Sequence, residues 1–276
     1  MALVVLASAK GAPGTTTAAL ALAALWPRPV LLADCDPVGG DVALRMPRLD
    51  GGPLDPDVGL VSLAAAARRG LQADTLHQHT QQVVGGLDVL VGLRAAEQSA
   101  GMDPLWPLLG GALASMPGVD AIADVGRIGP GSSVLPLLRS AHLVVLVVRP
   151  DLSSVFHTRE RLAALTSTLR SSSIDAVRTA VLVVADPGDR RSVADVRDTM
   201  ARLEHGPEHV WDIALDPKGA RVFDGLAVSR PERTQLARSA AAVAVAAAVA
   251  TAPFHRPATD EQSRRHEPTP VGRGES

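Results

Sequence analysis

Short apolar runs, each bounded by turn residues, recur at 3–7, 30–33, 87–91, 121–125, 143–148, 180–185 and 210–215. Most are continuous rather than alternating and are built from Val, Leu and Ala. That is the pattern of strands covered on both faces of a parallel sheet. Between them lie stretches of helical character at 16–25, 58–69, 73–82, 104–114, 133–140, 153–169 and 192–203. The first ends at Trp26-Pro27, because proline disfavours helix in the residue before it. Ser153 and Ser192 offer hydroxyl N-caps. The alternation predicts an α/β fold: a doubly wound, mostly parallel sheet with helices on both faces. Residues 234–250 predict a closing helix of small side chains. Residues 253–276 hold four prolines, mixed charges and almost no large apolar side chains. They cannot bury enough surface to offset ordering, which predicts one domain at 1–252 followed by a disordered tail.

Composition narrows this picture. With 276 residues and 46% apolar side chains, the chain can build one sizeable core. Aromatics are 2% with no Tyr, so the core is Ala, Val and Leu, and base stacking on aromatic rings is excluded as a mode of nucleic-acid binding. A net charge of −2 gives no bulk attraction to nucleic acid or anionic lipid. Arg68-Arg69, Arg190-Arg191 and Arg264-Arg265 are isolated pairs, which read as solvated charge and leave DNA binding unsupported. Cys35 is the only cysteine, which fits a reducing cytoplasm. The apolar N-terminus lacks a basic leader and reads as a buried strand. The longest apolar run, 240–250, is too short to span a bilayer, so no transmembrane segment is expected. His77 and His79 read as surface residues of a polar helix.

Candidate chemistry begins at the first strand–turn–helix junction, Ser8-Ala9-Lys10-Gly11-Ala12-Pro13-Gly14-Thr15-Thr16-Thr17. Of 27 basic Lys and Arg residues only Lys10 and Lys218 are lysine, and one stands inside this turn. Backbone N–H groups of such a turn, with the partial positive charge of the following helix, hold phosphate. An ordinary phosphate loop reads G-x-x-x-x-G-K-[ST]. Here Ala9 stands at the first glycine and Thr15 at the lysine, while Thr16 keeps the hydroxyl that joins a Mg²⁺ shell. Pro13 removes one backbone donor. A tight turn that merely joins strand to helix is the alternative reading. The second strand ends in Asp34-Cys35-Asp36-Pro37, followed by Gly39-Gly40-Asp41, and a further strand runs 120–123 into Asp124-Val125-Gly126-Arg127. Acids at strand ends face the ligand crevice of open α/β sheets, although Asp and Pro are also turn formers.

In this order the segments resemble the deviant Walker A family of ParA/MinD ATPases, over about residues 1–250, with details similar to its CpaE/TadZ-like branch. The resemblance implies ATP and Mg²⁺ as cofactors. Residues 10–17 (Lys10, Gly11, Ala12, Pro13, Gly14, Thr15, Thr16 and Thr17) would hold the nucleotide. Lys10 would reach across a nucleotide-dependent homodimer, and Asp36 would position the attacking water. Thr16, Asp34 and Asp124 would serve the metal. Asp186, in the segment after strand 180–185, and Pro217, in IALDPKGAR, would flank the base. Asp186 stands where the family carries Asn. Partners in pilus assembly, septum placement or partition are implied, with a cytoplasmic protein recruited to the cell pole or septum.

The missing loop lysine removes a charge-assisted contact of about 1.5–3 kcal/mol. Binding tolerates that loss better than hydrolysis, whose transition state gathers negative charge at this point. Two function classes therefore stand side by side: an ATP-dependent positioning switch with weak or absent hydrolysis, and a non-catalytic scaffold of the same fold. A small-molecule ligase with the same loop, of the dethiobiotin or cobyrinate synthase kind, is a third, without a second-substrate signature. No Gly-x-Ser-x-Gly elbow supports a hydrolase triad.

Overall fold

The apolar runs become strands and the stretches between them helices in a computed structural model that describes residues 1–67, 71, 73–170 and 177–252. The strands are β1 (Leu3–Ser8), β2 (Val30–Asp34), β3 (Gln81–Gln82), β4 (Asp88–Leu90), β5 (Asp120–Arg127), β6 (Leu143–Val148), β7 (Arg178–Ala185) and β8 (His209–Ala214). The α-helices are α1 (Thr15–Ala24), α2 (Val42–Arg45), α3 (Leu60–Ala67), α4 (Leu105–Ala114), α5 (Leu135–Arg139), α6 (Leu152–Arg170), α7 (Arg190–Ala201), α8 (Pro217–Ala220) and α9 (Gln235–Ala250). They form one sheet in the order β3-β4-β2-β5-β1-β6-β7-β8. Every pairing is parallel except β3 with β4. The doubly wound, mostly parallel sheet expected from the pattern is present.

Each face of the sheet carries its own core. One joins alternate positions of β1, β2, β5, β6 and β7 to Leu60 and Leu63 of α3, Trp106 and Leu109 of α4, Leu137 and Leu138 of α5, Leu162 and Leu165 of α6, and Val193 and Val196 of α7. The other joins the intervening strand positions to α1, α9, Val42 and Phe223. Because both faces are covered, the central strands are buried along their length and need no polar alternation. The small side chains of α1 and α9 suit helices packed closely on the sheet and on each other, and alanine is the best helix former.

Four expectations are corrected. Residues 73–82 are not one α-helix. They form a 3₁₀ turn over Ala73–His79 and then β3. Between 75 and 79 only Leu76 is buried, so the segment lacks the apolar stripe that holds a helix to the core. The caps of α6 and α7 are not Ser153 and Ser192. Asp151 accepts from Ser154 N at 2.9 Å and Asp189 from Ser192 N at 3.0 Å, so carboxylates take the role three residues ahead of the bonded N–H. His79 is not a plain surface residue, since its Nδ1 lies 2.8 Å from Ser62 Oγ. The fourth concerns the strand end at Asp124. Here β5 continues to Arg127, with an irregular register against β1 between Leu6 and Ser8. Arg68-Arg69 and the tail 253–276 lie outside the described residues. Among the described residues no helix is long and apolar enough to cross a membrane.

At the amino ends of the strands, Asp120 ties separate elements together. Its fully buried carboxylate accepts from Ala2 N (2.8 Å), Trp26 Nε1 (2.9 Å) and Arg28 Nε (2.6 Å). Arg28 in turn donates to Ala248 O at the end of α9 (3.2 Å). Burial raises the Asp120 pKa, but the donors and the Arg28 charge together outweigh it and hold the pKa below the usual 3.8. A carboxylate whose folded pKa lies below its unfolded value adds stability above the unfolded pKa, and that stability is lost as pH falls through the folded one. Asp120→Ala is therefore expected to cost about 3 kcal/mol near neutral pH, by stranding a partly buried guanidinium and an indole N–H. Urea unfolding should show this difference shrinking as pH falls below about 4 and on through the lowered native pKa.

Candidate functional site

The chain reverses direction around β1. From it, β5, β2 and β4 lie to one side and β6, β7 and β8 to the other, and ligands of open α/β sheets bind at such a switch point. At the carboxyl end of β1 the turn is made by Gly11 (φ 70°) and Gly14 (φ 103°), both in the left-handed region that favours glycine. Gly14 is the N-cap residue of α1, and Ala18 N bonds its carbonyl at 2.8 Å. No side chain caps this helix, so its first N–H groups face the turn without a side-chain acceptor. Pro13 and Thr15 are buried, Gly14, Thr16 and Thr17 half-buried, and Gly11 and Ala12 exposed.

The acids stand opposite. Parallel pairing of β2 with β5 puts Asp34 directly beside Asp124, and pairing of β5 with β1 puts Asp124 beside Leu6, two residues before the turn. Both carboxylates are almost completely buried. Asp34 Oδ2 accepts from Val42 N (3.1 Å) and Asp124 Oδ1 from Gly126 N (3.0 Å). The remaining oxygens, Asp34 Oδ1 and Asp124 Oδ2, are buried with no hydrogen-bond partner. Burial, then the neighbouring Asp124 and Asp36 charges, push Asp34 up to about 8. Burial also pushes Asp124 up to about 6, against the pull of the Thr16 hydroxyl and Gly126 N. Asp36, half-buried, accepts from Val38 N (2.8 Å) and is raised chiefly by burial.

Glycines let the acids in. A methyl on Gly40 or Gly92 would run into the Asp34 carboxylate, and one on Gly126 (φ 61°) into Asp36. Gly92 carried no sequence signal, because its partner lies 58 residues away and only the fold joins them. Cys35, between the acids in sequence, points into the core and is held well above its ordinary pKa by burial and then by the surrounding acids.

The remaining sequence-derived residues divide. Lys10 does not turn into the loop. Its Nζ donates to Ser153 Oγ (3.2 Å) and lies 3.1 Å from His157 Nε2, both on α6. Thr17 Oγ1 accepts from Arg45 Nη2 (3.0 Å), and Arg45 is paired with Asp224 (2.8 Å), which ties α1 to α2 and the segment after α8. Pro217 lines a cavity of about 240 Å³ beside the loop, with Pro13, Gly14, Thr17, Ala18, Arg149 and the 213–216 segment. Asp186 lies apart, in a separate cleft of about 410 Å³ with Arg190, Arg197 and Asp212. A larger apolar cleft of about 800 Å³ lies toward the other end of α1, lined by Leu20, Met46, Val83 and Phe223. Its lining includes neither the loop nor the acids, whereas the smaller cavity takes in Pro13, Gly14 and Thr17 of the loop.

The residues at the loop fit a nucleotide and a divalent cation. A turn of backbone N–H groups at a helix N-terminus suits phosphate. Two unpartnered buried carboxylate oxygens beside a threonine hydroxyl suit the hydrated metal that accompanies it. Among the described residues no group of three His, Cys, Asp or Glu side chains could hold a metal alone. Mg²⁺ needs no such cage, since it takes most of its ligands from water and phosphate.

Solved structures with this architecture decide the fold. The chain matches a ParA family ATPase from Chlorobium tepidum at TM-score 0.68 and 19% identity, over 88% of this chain and 98% of the other. It matches the septum site-determining protein MinD of Pyrococcus horikoshii, solved with Mg-ADP, at TM-score 0.66 and 16% identity, over 92% and 99%. The chain has the ParA/MinD ATPase fold. Cobyrinic acid a,c-diamide synthase of Mycobacterium smegmatis, solved with an ATP analogue and magnesium, shares it at TM-score 0.62 and 19% identity, over 90% and 94%. No family profile and no curated protein matches the sequence.

The raised acids set a pH dependence. A carboxyl whose folded pKa lies above its unfolded value holds more protons folded than unfolded, so its ionisation subtracts stability as pH rises between the two. For Asp34 that window runs from about 4 to about 8. Asp34→Asn should therefore stabilise the ligand-free protein at pH 8 by about 1–3 kcal/mol and have little effect at pH 4. Chemical unfolding at the two pH values checks this, and equal effects at both would contradict the buried-acid account.

Proposed function

We propose that the chain is an ATP-binding switch of the ParA/MinD kind that serves spatial positioning: chromosome partitioning, or septum or pilus placement, as in the CpaE/TadZ-like branch. The observation that carries this reading is the pair of buried, unpartnered carboxylate oxygens of Asp34 and Asp124 opposite a helix-initiating glycine turn. A buried acid pair with one oxygen of each left unpartnered is costly, and a phosphate-bound cation would compensate it. In this reading residues 10–17 hold the nucleotide, Thr16 with Asp34 and Asp124 serves Mg²⁺, and Asp36 positions water. Pro217 stands on the base side, while Asp186 opens into the separate cleft and takes no part in this reading.

Two subunits would enclose nucleotide, with Lys10 serving the partner's phosphates. That role agrees with a lysine whose ammonium is held at α6, away from its own loop. ATP hydrolysis is weak or absent, because Thr15 supplies no cation where charge grows in phosphoryl transfer. The same buried Thr15 favours the second reading, a scaffold of this fold that recruits pilus or division partners without turnover. The protein acts in the cytoplasm and is recruited to the pole or septum.

Titration of the chain with ATP and Mg²⁺, followed by calorimetry and sedimentation, tests this. The expected result is saturable, Mg²⁺-dependent binding. Asp124→Asn should weaken it about tenfold or more, by the scale of charge-assisted contacts, and Lys10→Ala should reduce nucleotide-dependent dimerisation. Absence of binding at millimolar ATP would reject the switch. A Mg²⁺-dependent turnover lost in Asp36→Ala would reject the scaffold.

A further inference from the structure

The loop cavity contains a cation that the motif reading did not find. Arg149 follows β6 and lines the 240 Å³ cavity together with Pro13, Gly14 and Thr17. Parallel register explains its place. Ser8 at the end of β1 pairs with Val147, so Arg149 stands two residues beyond that pair on β6, as Lys10 does on β1. Its side chain is half-buried, and among the described residues no hydrogen bond or ion pair engages it. The one acid sharing the cavity, Asp216, is already occupied. It accepts from Gly219 N (2.9 Å), Gln235 N (2.9 Å) and Leu236 N (3.2 Å). A guanidinium that lines a ligand-sized hollow without a counter-ion has its donors free for an anion.

The charge around the loop supports the same conclusion. Asp34, Asp36, Asp41 and Asp124 crowd one side of the turn, Thr15 stands where a lysine would, and Lys10 is engaged by α6. Besides Arg149, the walls of the cavity carry no cation. Its opposite wall, Ile213, Leu215, Ala220 and Leu236, is apolar and suits a flat base.

We infer that Arg149 replaces the absent loop lysine as the cation that binds the phosphates of a nucleoside di- or triphosphate in this cavity. The inference rests on the nucleotide-binding reading above. It adds that the charge lost at position 15 has been moved to the neighbouring strand end. Guanidinium suits the role, since its planar fork contacts two phosphate oxygens at once.

The test compares ATP, ADP and adenosine binding to the full chain by calorimetry for the native protein, Arg149→Gln, Arg149→Lys and Arg149→Gln combined with Thr15→Lys. Arg149→Gln is expected to weaken ATP and ADP about tenfold or more and adenosine less than twofold. Arg149→Lys should retain most of the affinity, and Thr15→Lys should restore ATP binding to the Arg149→Gln protein, a rescue that a merely structural arginine would not show. Unfolding midpoints of all four proteins establish that they are folded. If the native protein binds ATP and Arg149→Gln binds it equally well, the Arg149 assignment is overturned while the nucleotide reading stands. Equal losses for adenosine and ATP would also overturn it, by placing Arg149 against the base or the cavity wall. If the native protein binds no nucleotide, both fail together.

Discussion

Two carboxylates buried side by side, each with an oxygen that no hydrogen bond among the described residues satisfies, are the constraint around which the carboxyl end of the sheet is organised. Asp34 and Asp124 are register partners on adjacent parallel strands, so their proximity is set by the ladder and not by side-chain choice. Moving either acid would require breaking sheet hydrogen bonds. The surroundings are shaped to admit them. Gly40, Gly92 and Gly126 leave room where any Cβ would collide with an Asp34 or Asp36 carboxylate, and backbone N–H groups from Val42 and Gly126 satisfy one oxygen of each. The arrangement lowers the stability of the free protein when both acids ionise. Such a cost persists where the remaining oxygens serve something outside the chain.

Much of this was legible in the sequence. Continuous apolar runs marked the strands because both faces are covered, and the turn at residues 10–17 declared itself by its glycines. The acids of 34 and 124 were readable because they end and interrupt apolar strands, and Asp36 because it follows Asp34 by two residues at the same strand end. What was not legible depended on contacts between distant segments. Gly92 matters only because β4 lies beside β2. Arg149 reads in sequence as the end of a strand before a proline, and only the β1–β6 register brings it to the loop. The 3₁₀ turn at Ala73–His79 failed as a helix because, between 75 and 79, polar side chains leave only Leu76 buried. The caps of α6 and α7 were missed by two and three residues because Asp and Ser occur together at both starts, and the carboxylate won.

The loop separates two properties that an ordinary phosphate loop combines. Apart from the donor that Pro13 removes, its backbone machinery is kept: two left-handed glycines, an uncapped helix N-terminus and a threonine near the buried acids. These groups act on phosphate whether or not it reacts, and so contribute to ground state and transition state alike. The charge at position 15 is gone. A cation at that point contributes most when negative charge accumulates during transfer. Replacing it by a threonine therefore removes more from reaction than from binding. A cation at the end of β6 approaches the same cavity from another strand and direction. It can balance resting phosphate charge, but it does not reproduce a lysine rising from the helix N-terminus. On the nucleotide-binding reading proposed above, the sequence change favours holding a nucleotide over spending it. The proposed switch, which would signal by its bound state, requires that bias.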